Sequence, residues 1–185
     1  LQDTEYALEL DRRNVILEGV LQRYHELGEE FDSSECDLIL KNLNDRYKKK
    51  GISEGVPKAV TNWIKEGIPA NPAYRENLYK LCLALDMNLE EMKVFFYKYY
   101  MTIPFNFKNR IDAIYYYCTK LGKPYRNIKE MLEKTEVQTN ENESSDDATM
   151  AVHMDIDAIE DDDIFIEYLK THTYTKEKQF QTARA

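Results

Sequence analysis

The chain of 185 residues lacks long apolar runs and secretion signals. A transmembrane helix needs about 20 consecutive apolar residues. Residues 1–10 carry acids where a signal peptide would have a basic end and an apolar stretch. The three cysteines, Cys36, Cys82 and Cys118, are odd in number and far apart, so we expect reduced core residues rather than disulfides. We therefore expect a soluble, cytoplasmic protein with no membrane partner.

Motifs for catalysis and metal binding are missing as well. The histidines His25, His153 and His172 lie in separate segments, without Cys, Asp or Glu at metal-ligand spacing. The sequence has no glycine-rich phosphate loop, no Gly-x-Ser-x-Gly and no His-Glu-x-x-His. These absences predict a protein that is not an enzyme and uses neither a cofactor nor a metal. An acidic site assembled across helices is an alternative that the sequence leaves open.

Charge is distributed unevenly along the chain. Residues 1–40 hold 3 basic and 11 acidic side chains, a net charge of -8. Residues 41–129 hold 17 and 8, a net charge of +9, and residues 130–185 hold 5 and 15, a net charge of -10. The basic block can attract a polyanion through counterion release, and it can equally attract the acidic ends of its own chain. The acidic C-terminal part thus has two open roles, screening of the basic block or simple packing.

Apolar residues recur at helical spacing along most of the chain, and strand patterns are almost absent. The spacing predicts an all-α fold, a multi-helix bundle around a helix-turn-helix-like core. Ser34 with Asp37, and Asn88 with Glu91, resemble capping boxes that open helices. The predicted helices cover residues 4–28, 35–50, 58–66, 73–86, 89–100, 108–121 and 125–134.

The pattern also predicts how the chain is organised. We expect residues 1–134 to form one helical domain whose helix-turn-helix-like core covers about 35–100. Residues 135–156 mix acids with Thr, Asn and Ser, which is typical of a flexible acidic linker. We expect residues 157–185 to form a C-terminal helical segment that continues beyond this chain. Its apolar side is formed by Ile159, Phe165, Ile166 and Leu169.

The most informative stretch begins with a short helix that ends near Gly67. Val60, Trp63 and Ile64 share one face of this helix, and we expect Trp63 to be buried against Leu81 or Leu85. The opposite face carries side chains that can bond phosphates and base edges. These are Lys58, Thr61, Asn62 and Lys65. The end of the preceding helix adds candidate phosphate contacts, which are Arg46, Lys48, Lys49 and Lys50. The alternative is that neither set contacts nucleic acid and that both are ordinary solvent-exposed helix surface.

The short helix and the helix after it share a wider pattern, formed by Val60, Trp63, Gly67, Pro69, Leu78, Leu81, Ala84, Leu85 and Leu89. Residues 58–96 thereby resemble the second half of a lambda-repressor-like helix-turn-helix domain of the xenobiotic-response-element type. The resemblance implies a non-enzymatic, bacterial-type transcription regulator that binds double-stranded DNA, or an accessory of one. It also implies that the polar face of the helix at 58–66 enters the groove.

Upstream of this pattern the sequence departs from that family, which has a separate short helix before the recognition helix. Residues 51–57 contain two glycines and a proline, a composition that cannot form such a helix. Either the helix at 35–50 acts as the positioning helix across a lengthened turn, or the motif has lost this part. Loss would favour the alternative function, a helical protein-interaction module that no longer binds DNA.

Aromatic residues are concentrated between residues 95 and 125. One helix face cannot bury three adjacent residues such as Tyr115, Tyr116 and Tyr117, so we expect one or two of them to point away from the local core. The segment could be packed between two helical layers, bind a protein partner or a second copy, or stack on single-stranded bases. The candidate partner contacts are Tyr97, Tyr100, Tyr116 and Tyr117.

Overall fold

The computed structural model describes residues 15–67, 75–100, 102–136 and 155–172, and the regular structure within them is helical throughout. The predicted all-α class is therefore confirmed. Contacts within the chain divide it between Thr102 and Ile103 into two compact units. The sequence grouped residues 1–134 together, whereas this division assigns residues 103–134 to the second unit.

The first unit contains α1 (Val15–Glu26), α2 (Cys36–Lys49), α3 (Lys58–Lys65), α4 (Arg75–Ala84) and α5 (Leu89–Phe95), which continues into a π-helical turn over Phe96–Tyr100. The second unit contains α6 (Arg110–Lys120), α7 (Tyr125–Lys134), a helical turn at 155–158 and α8 (Asp162–His172). In the described residues, α1 to α7 match the predicted helices to within a few residues. The predicted C-terminal helix is interrupted at 159–161, so Ile159 lies outside α8 and is only half-buried. Parts of the predictions for 4–28, 73–86, 135–156 and 157–185 lie outside the described residues.

The core of the first unit forms around α3, which packs against α1, α2 and α4. Trp63 is buried, as predicted, and so are Leu81 and Leu85. Gly19 lets α1 approach the π-helical turn, because a Cβ there would lie 2.7 Å from a ring carbon of Tyr99. An interior glycine normally weakens a helix. Here it is the residue that allows the two elements to touch.

Local hydrogen bonds confirm one predicted capping box and contradict the other. The Asn88 side chain accepts from the backbone N–H of Glu91, and the Glu91 carboxylate accepts from the backbone N–H of Asn88. The box predicted from Ser34 and Asp37 is wrong, since α2 begins at residue 36 without a side-chain cap. The Asp32 carboxylate accepts from both the N–H and the hydroxyl of Ser34, and this competing turn holds Ser34 before the helix begins.

A buried arginine joins three elements of the first unit. The Nε of Arg23, on α1, donates to the carbonyl of Leu85 at 2.9 Å, and one of its terminal nitrogens donates to the carbonyl of Asp86 at 2.9 Å. Carbonyls at the C-terminal end of a helix lack partners in the helix, and these two follow α4. The other terminal nitrogen binds Glu26, at 3.1 Å, and Glu91. Arg23 thus connects α1 to the end of α4 and the start of α5.

Replacing Arg23 by Met should lower the free energy of unfolding by about 2–3 kcal/mol, because hydrogen bonds to charged groups contribute roughly 1.5–3 kcal/mol and the carbonyls would lose their partner. A urea melt followed by circular dichroism measures the change. The control is Lys93→Met, which removes an exposed pair with Glu90 and should cost no more than about 0.5 kcal/mol. Equal losses for the two variants would contradict this assignment of Arg23.

A buried tyrosine offers a second test of the first unit. The Tyr47 hydroxyl has no hydrogen-bond partner among the described residues, and burial raises the pKa of Tyr47 above its ordinary value. Tyr47→Phe should leave stability unchanged or raise it by about 1 kcal/mol, since an unsatisfied buried polar group costs roughly 1–3 kcal/mol. Tyr24→Phe is the matched control, because the Tyr24 hydroxyl donates to Asn42 Oδ1 at 2.8 Å. That variant should lose about 1 kcal/mol, and a similar loss for Tyr47→Phe would refute the assignment.

In the second unit, the C-terminal segment packs on α6 through apolar residues. Phe165 and Leu169 on α8 are fully buried, as predicted from their spacing, and Ile156 is buried in the turn before α8. The ring of Phe165 stacks on Tyr117 with centroids 3.9 Å apart and planes 7° from parallel. The Tyr117 hydroxyl also donates to Asp162 at 2.8 Å. The segment therefore packs by apolar contact, as one of the two predicted roles requires, whereas screening of the basic block stays a prediction.

Two acids of this segment also bind lysines of the same unit. The Lys120 ammonium donates to the Asp157 carboxylate at 3.0 Å, and the Lys123 ammonium lies 3.1 Å from Asp162. Part of the charge on the basic block is thus neutralised locally. These pairs are partly exposed, so each contributes little to stability by itself.

Candidate nucleic-acid interface

The candidate interface is centred on α3, a helix of two turns that follows Pro57. Pro57 is the N-cap residue and has extended backbone, with a φ of -69° and a ψ of 154°, and its missing N–H removes no hydrogen bond from the helix that follows. Val60, Trp63 and Ile64 are buried on one side of α3, as their spacing predicts. The other side of the helix is therefore the only side that α3 can present outward.

The four residues predicted for that outer side differ in exposure. Lys58 and Lys65 are exposed, whereas Thr61 and Asn62 are half-buried. The Lys65 ammonium lies 2.6 Å from a carboxylate oxygen of Asp37 on α2, and this hydrogen bond raises the pKa of Lys65 above its ordinary value. Lys65 therefore carries its charge at neutral pH, but a neighbouring anion offsets it. The sequence analysis did not anticipate Asp37.

The basic end of α2 divides into two pairs of residues with different roles. Lys48 and Lys49 are exposed and form no ion pair with any residue that the structure describes. Arg46 lies 3.3 Å from one carboxylate oxygen of Asp86, and Lys50 binds the other. Within the described part of the chain, the structure thus brings Lys48 and Lys49 to the surface without an ion pair, pairs the exposed Lys50 with Asp86, and places Arg46 in a largely buried cluster.

Arg46 has further contacts that identify it as a structural cation. Its guanidinium lies 3.4 Å from Glu29, 3.2 Å from the Asn42 side-chain oxygen and 5.4 Å from the centre of the Tyr24 ring. Only 18% of its side chain is exposed. Its sequence-based assignment as a phosphate contact is corrected on this ground, because a phosphate would have to displace these partners.

Residues 50–57 form an ordered, non-helical turn between α2 and α3. The prediction that residues 51–57 form no helix is thus confirmed. Ile52 is buried, and the N–H of Val56 donates to Asn44 Oδ1 on α2 at 3.3 Å. Gly55 has a φ of +70°, and an added Cβ would lie 2.4 Å from the same Asn44 oxygen. Glycine is favoured here because it adopts a positive φ without strain and leaves room for the Asn44 side chain.

The connection is longer than the turn of about three or four residues in helix-turn-helix units. Even so, α2 packs against α3, and the Cys36 thiol lies 3.7 Å from the carbonyl of Ile64. This arrangement is the one required if the helix at 35–50 acts as the positioning helix across a lengthened turn. The other alternative was that the motif has lost this part.

Three of the four tyrosines predicted as partner contacts are buried. Tyr100, Tyr116 and Tyr117 are 9%, 5% and 1% exposed, whereas Tyr97 is 79% exposed. The Tyr116 hydroxyl donates to Asp157 at 2.6 Å, and Tyr117 contacts α8 as described above. The prediction that Tyr116 and Tyr117 contact a partner is therefore wrong, because the C-terminal segment of the same unit already covers both side chains.

The expectation that one or two tyrosines of the triplet point away from the core is also wrong. Tyr115 is buried along with its two neighbours. Of the three alternatives for the aromatic segment, the tyrosines of α6 follow the one that needs no ligand, in which they are packed between helical layers. Tyr100 packs edge-on against Phe96 within the first unit, with ring centres 5.5 Å apart.

Two further observations concern other kinds of site. Within the described ranges, no three His, Cys, Asp or Glu side chains come together in a way that could hold a metal ion. None of the helices described is both long and apolar enough to cross a bilayer.

Comparisons with protein-family models, curated proteins and solved structures find no match to this chain. The helix-turn-helix resemblance is therefore supported only by the residues that carry it. Pro69, one of those residues, lies outside the part of the chain that the structure describes.

Proposed function

We propose that this chain is a non-enzymatic protein that binds double-stranded DNA, either a transcription regulator of helix-turn-helix type or an accessory of one. The observation that supports the proposal best is the two-sided character of α3. Its apolar side is buried in the core, and its outer side carries Lys58, Thr61, Asn62 and Lys65. As a protein that acts on bacterial DNA, it would work in the cytoplasm.

Two kinds of contact would contribute to binding. Lys48, Lys49 and Lys58 are exposed, and they flank the turn between α2 and α3, so they would neutralise phosphates. Thr61 and Asn62 carry donor and acceptor groups suited to base edges, and an α-helix fits the major groove. Arg46 and Lys50 would support the site indirectly, since they hold the end of α2 near Asp86.

Removing the three exposed lysines together, by Lys48→Ala, Lys49→Ala and Lys58→Ala, should weaken binding to random duplex DNA. It should also flatten the slope of log affinity against log salt by about 2.7, since each lost phosphate contact accounts for roughly 0.9. Fluorescence anisotropy over a salt series measures both quantities.

The matched control removes three exposed cations of the second unit, by Arg126→Ala, Lys129→Ala and Lys134→Ala. It changes the net charge equally and should leave the slope nearly unchanged. Equal effects of the two triple variants would show that only net charge matters. Absence of duplex binding by the unmodified chain at low salt would rule out the proposed function.

Asp37 provides a test in the opposite direction. Its carboxylate is 90% exposed and offsets the charge of Lys65. Asp37→Asn should raise the affinity for duplex DNA about fivefold at low salt, since a like charge a few Å away costs on the order of 1 kcal/mol in water. Asp45→Asn, an exposed acid elsewhere on α2, is the control and should have a smaller effect. An unchanged or lower affinity for Asp37→Asn would exclude Lys65 from the interface.

A further inference from the structure

An open groove lies between α1 and the continuous element formed by α5 and the π-helical turn. Its volume is about 470 Å³. All of its lining belongs to the first unit, and none of it belongs to α3. Residues that define its two walls are Gly19, Glu26, Glu90, Val94, Phe95 and Tyr99.

The way the groove is built suggests a functional feature. The walls meet where Gly19 touches the rings of Phe95 and Tyr99, with distances of 2.8 and 2.7 Å from the position of an added Cβ. The π-helical turn begins directly after Phe95. Such turns are rare and are frequently found at functional sites.

Apolar side chains on this element are exposed to an unusual degree. Val94, in the wall of the groove, is 54% exposed, and Tyr97, three residues later, is 79% exposed. Both are large apolar side chains on one helical element. Apolar residues exposed together, rather than singly, are typical of interaction sites.

The charges at the groove are mainly acidic. Glu26, Glu90 and Glu91 line it, together with two cations, Arg23 and Lys98. Arg23 is already bound to two backbone carbonyls, Glu26 and Glu91.

Charged residues next to the groove also affect its electrostatics. Lys93, which does not line the groove, pairs with Glu90 at 3.0 Å. Burial, and then the charges of Glu18 and Glu26, raise the pKa of Tyr99. Counting these neighbours, four carboxylates (Glu18, Glu26, Glu90 and Glu91) surround the groove against three cations (Arg23, Lys93 and Lys98), so an occupant that carries positive charge is favoured only slightly.

We propose that this groove binds a basic amphipathic helix of a protein partner. Apolar side chains of that helix would pack on Val94 and Phe95. Its lysines or arginines would bind the exposed side of the Glu26 and Glu90 carboxylates, whose side chains are 49% and 81% exposed although they also contact Arg23 and Lys93. An amphipathic helix in a groove is a common mode of peptide recognition. This binding surface is separate from the outer side of α3, so the inference does not depend on the proposed function.

The test uses the full chain and a fluorescein-labelled synthetic helix of leucine and lysine arranged on opposite faces. Anisotropy at about physiological salt reports binding, since screening there suppresses long-range attraction. The groove variants are Val94→Arg and Glu90→Lys, and both residues are exposed enough for the fold to be retained. Each should weaken binding about tenfold, which corresponds to about 1.4 kcal/mol, because the few central contacts of an interface carry most of its binding energy.

The matched control is Ile164→Arg in the second unit. Ile164 is 60% exposed and lies on α8 next to Asp163, so it reproduces both the apolar exposure and the acidic surroundings of Val94. This variant should bind the peptide as the unmodified chain does. Thermal melts of all three variants should match that of the unmodified chain, and loss restricted to the groove variants supports the proposal.

Three outcomes would overturn the proposal. The first is equal weakening, or none, in the groove and control variants. The second is equal binding of a scrambled peptide with the same composition but no apolar face, which would mean that charge alone attracts it. The third is sedimentation showing a dimer that Val94→Arg dissociates, because the occupant would then be a second copy of this chain.

Discussion

The first unit depends on the buried guanidinium of Arg23. A charge taken out of water must recover its hydration through hydrogen bonds, and Arg23 does so with two carbonyls and two carboxylates. Its carbonyl partners belong to the junction of α4 and α5, where Asp86 has a φ of +57°. Because Glu26 and Glu91 line the groove, the same arginine also fixes the position of the groove's acidic wall.

The same junction determines which cations are free to bind a ligand. Asp86 offers its backbone carbonyl to Arg23 and its carboxylate to Arg46 and Lys50, so one residue connects α1, α2 and the end of α4. A basic helix end that looks uniform in the sequence is thereby divided into charges that are paired with Asp86 and charges that are not. The proposed DNA interface relies on Lys48 and Lys49, which lack this pairing, whereas the groove between α1 and α5 is lined by residues of other elements.

The second unit shows how a helix can be buried on more than one side. Tyr116 and Tyr117 project from α6 toward the C-terminal segment, where Asp157 and Asp162 accept hydrogen bonds from their hydroxyls. A tyrosine offers a large apolar ring and one polar atom, so a carboxylate at the right place permits burial of the whole side chain. The acids of this segment therefore act in packing as well as in solubility.

The sequence by itself determined the all-α class, most helix ends, the buried side of α3 and the apolar side of α8, since these follow from spacing and from nearby glycine, proline and asparagine. The cap expected at Ser34 failed because Asp32 offered a competing local bond. Only the tertiary structure decided which charges pair, which tyrosines are covered and where a groove opens. Arg23 and Leu85 are 62 residues apart, and Tyr117 and Asp162 are 45 apart. Local periodicity carries no information over such separations, because they are set by how whole helices pack.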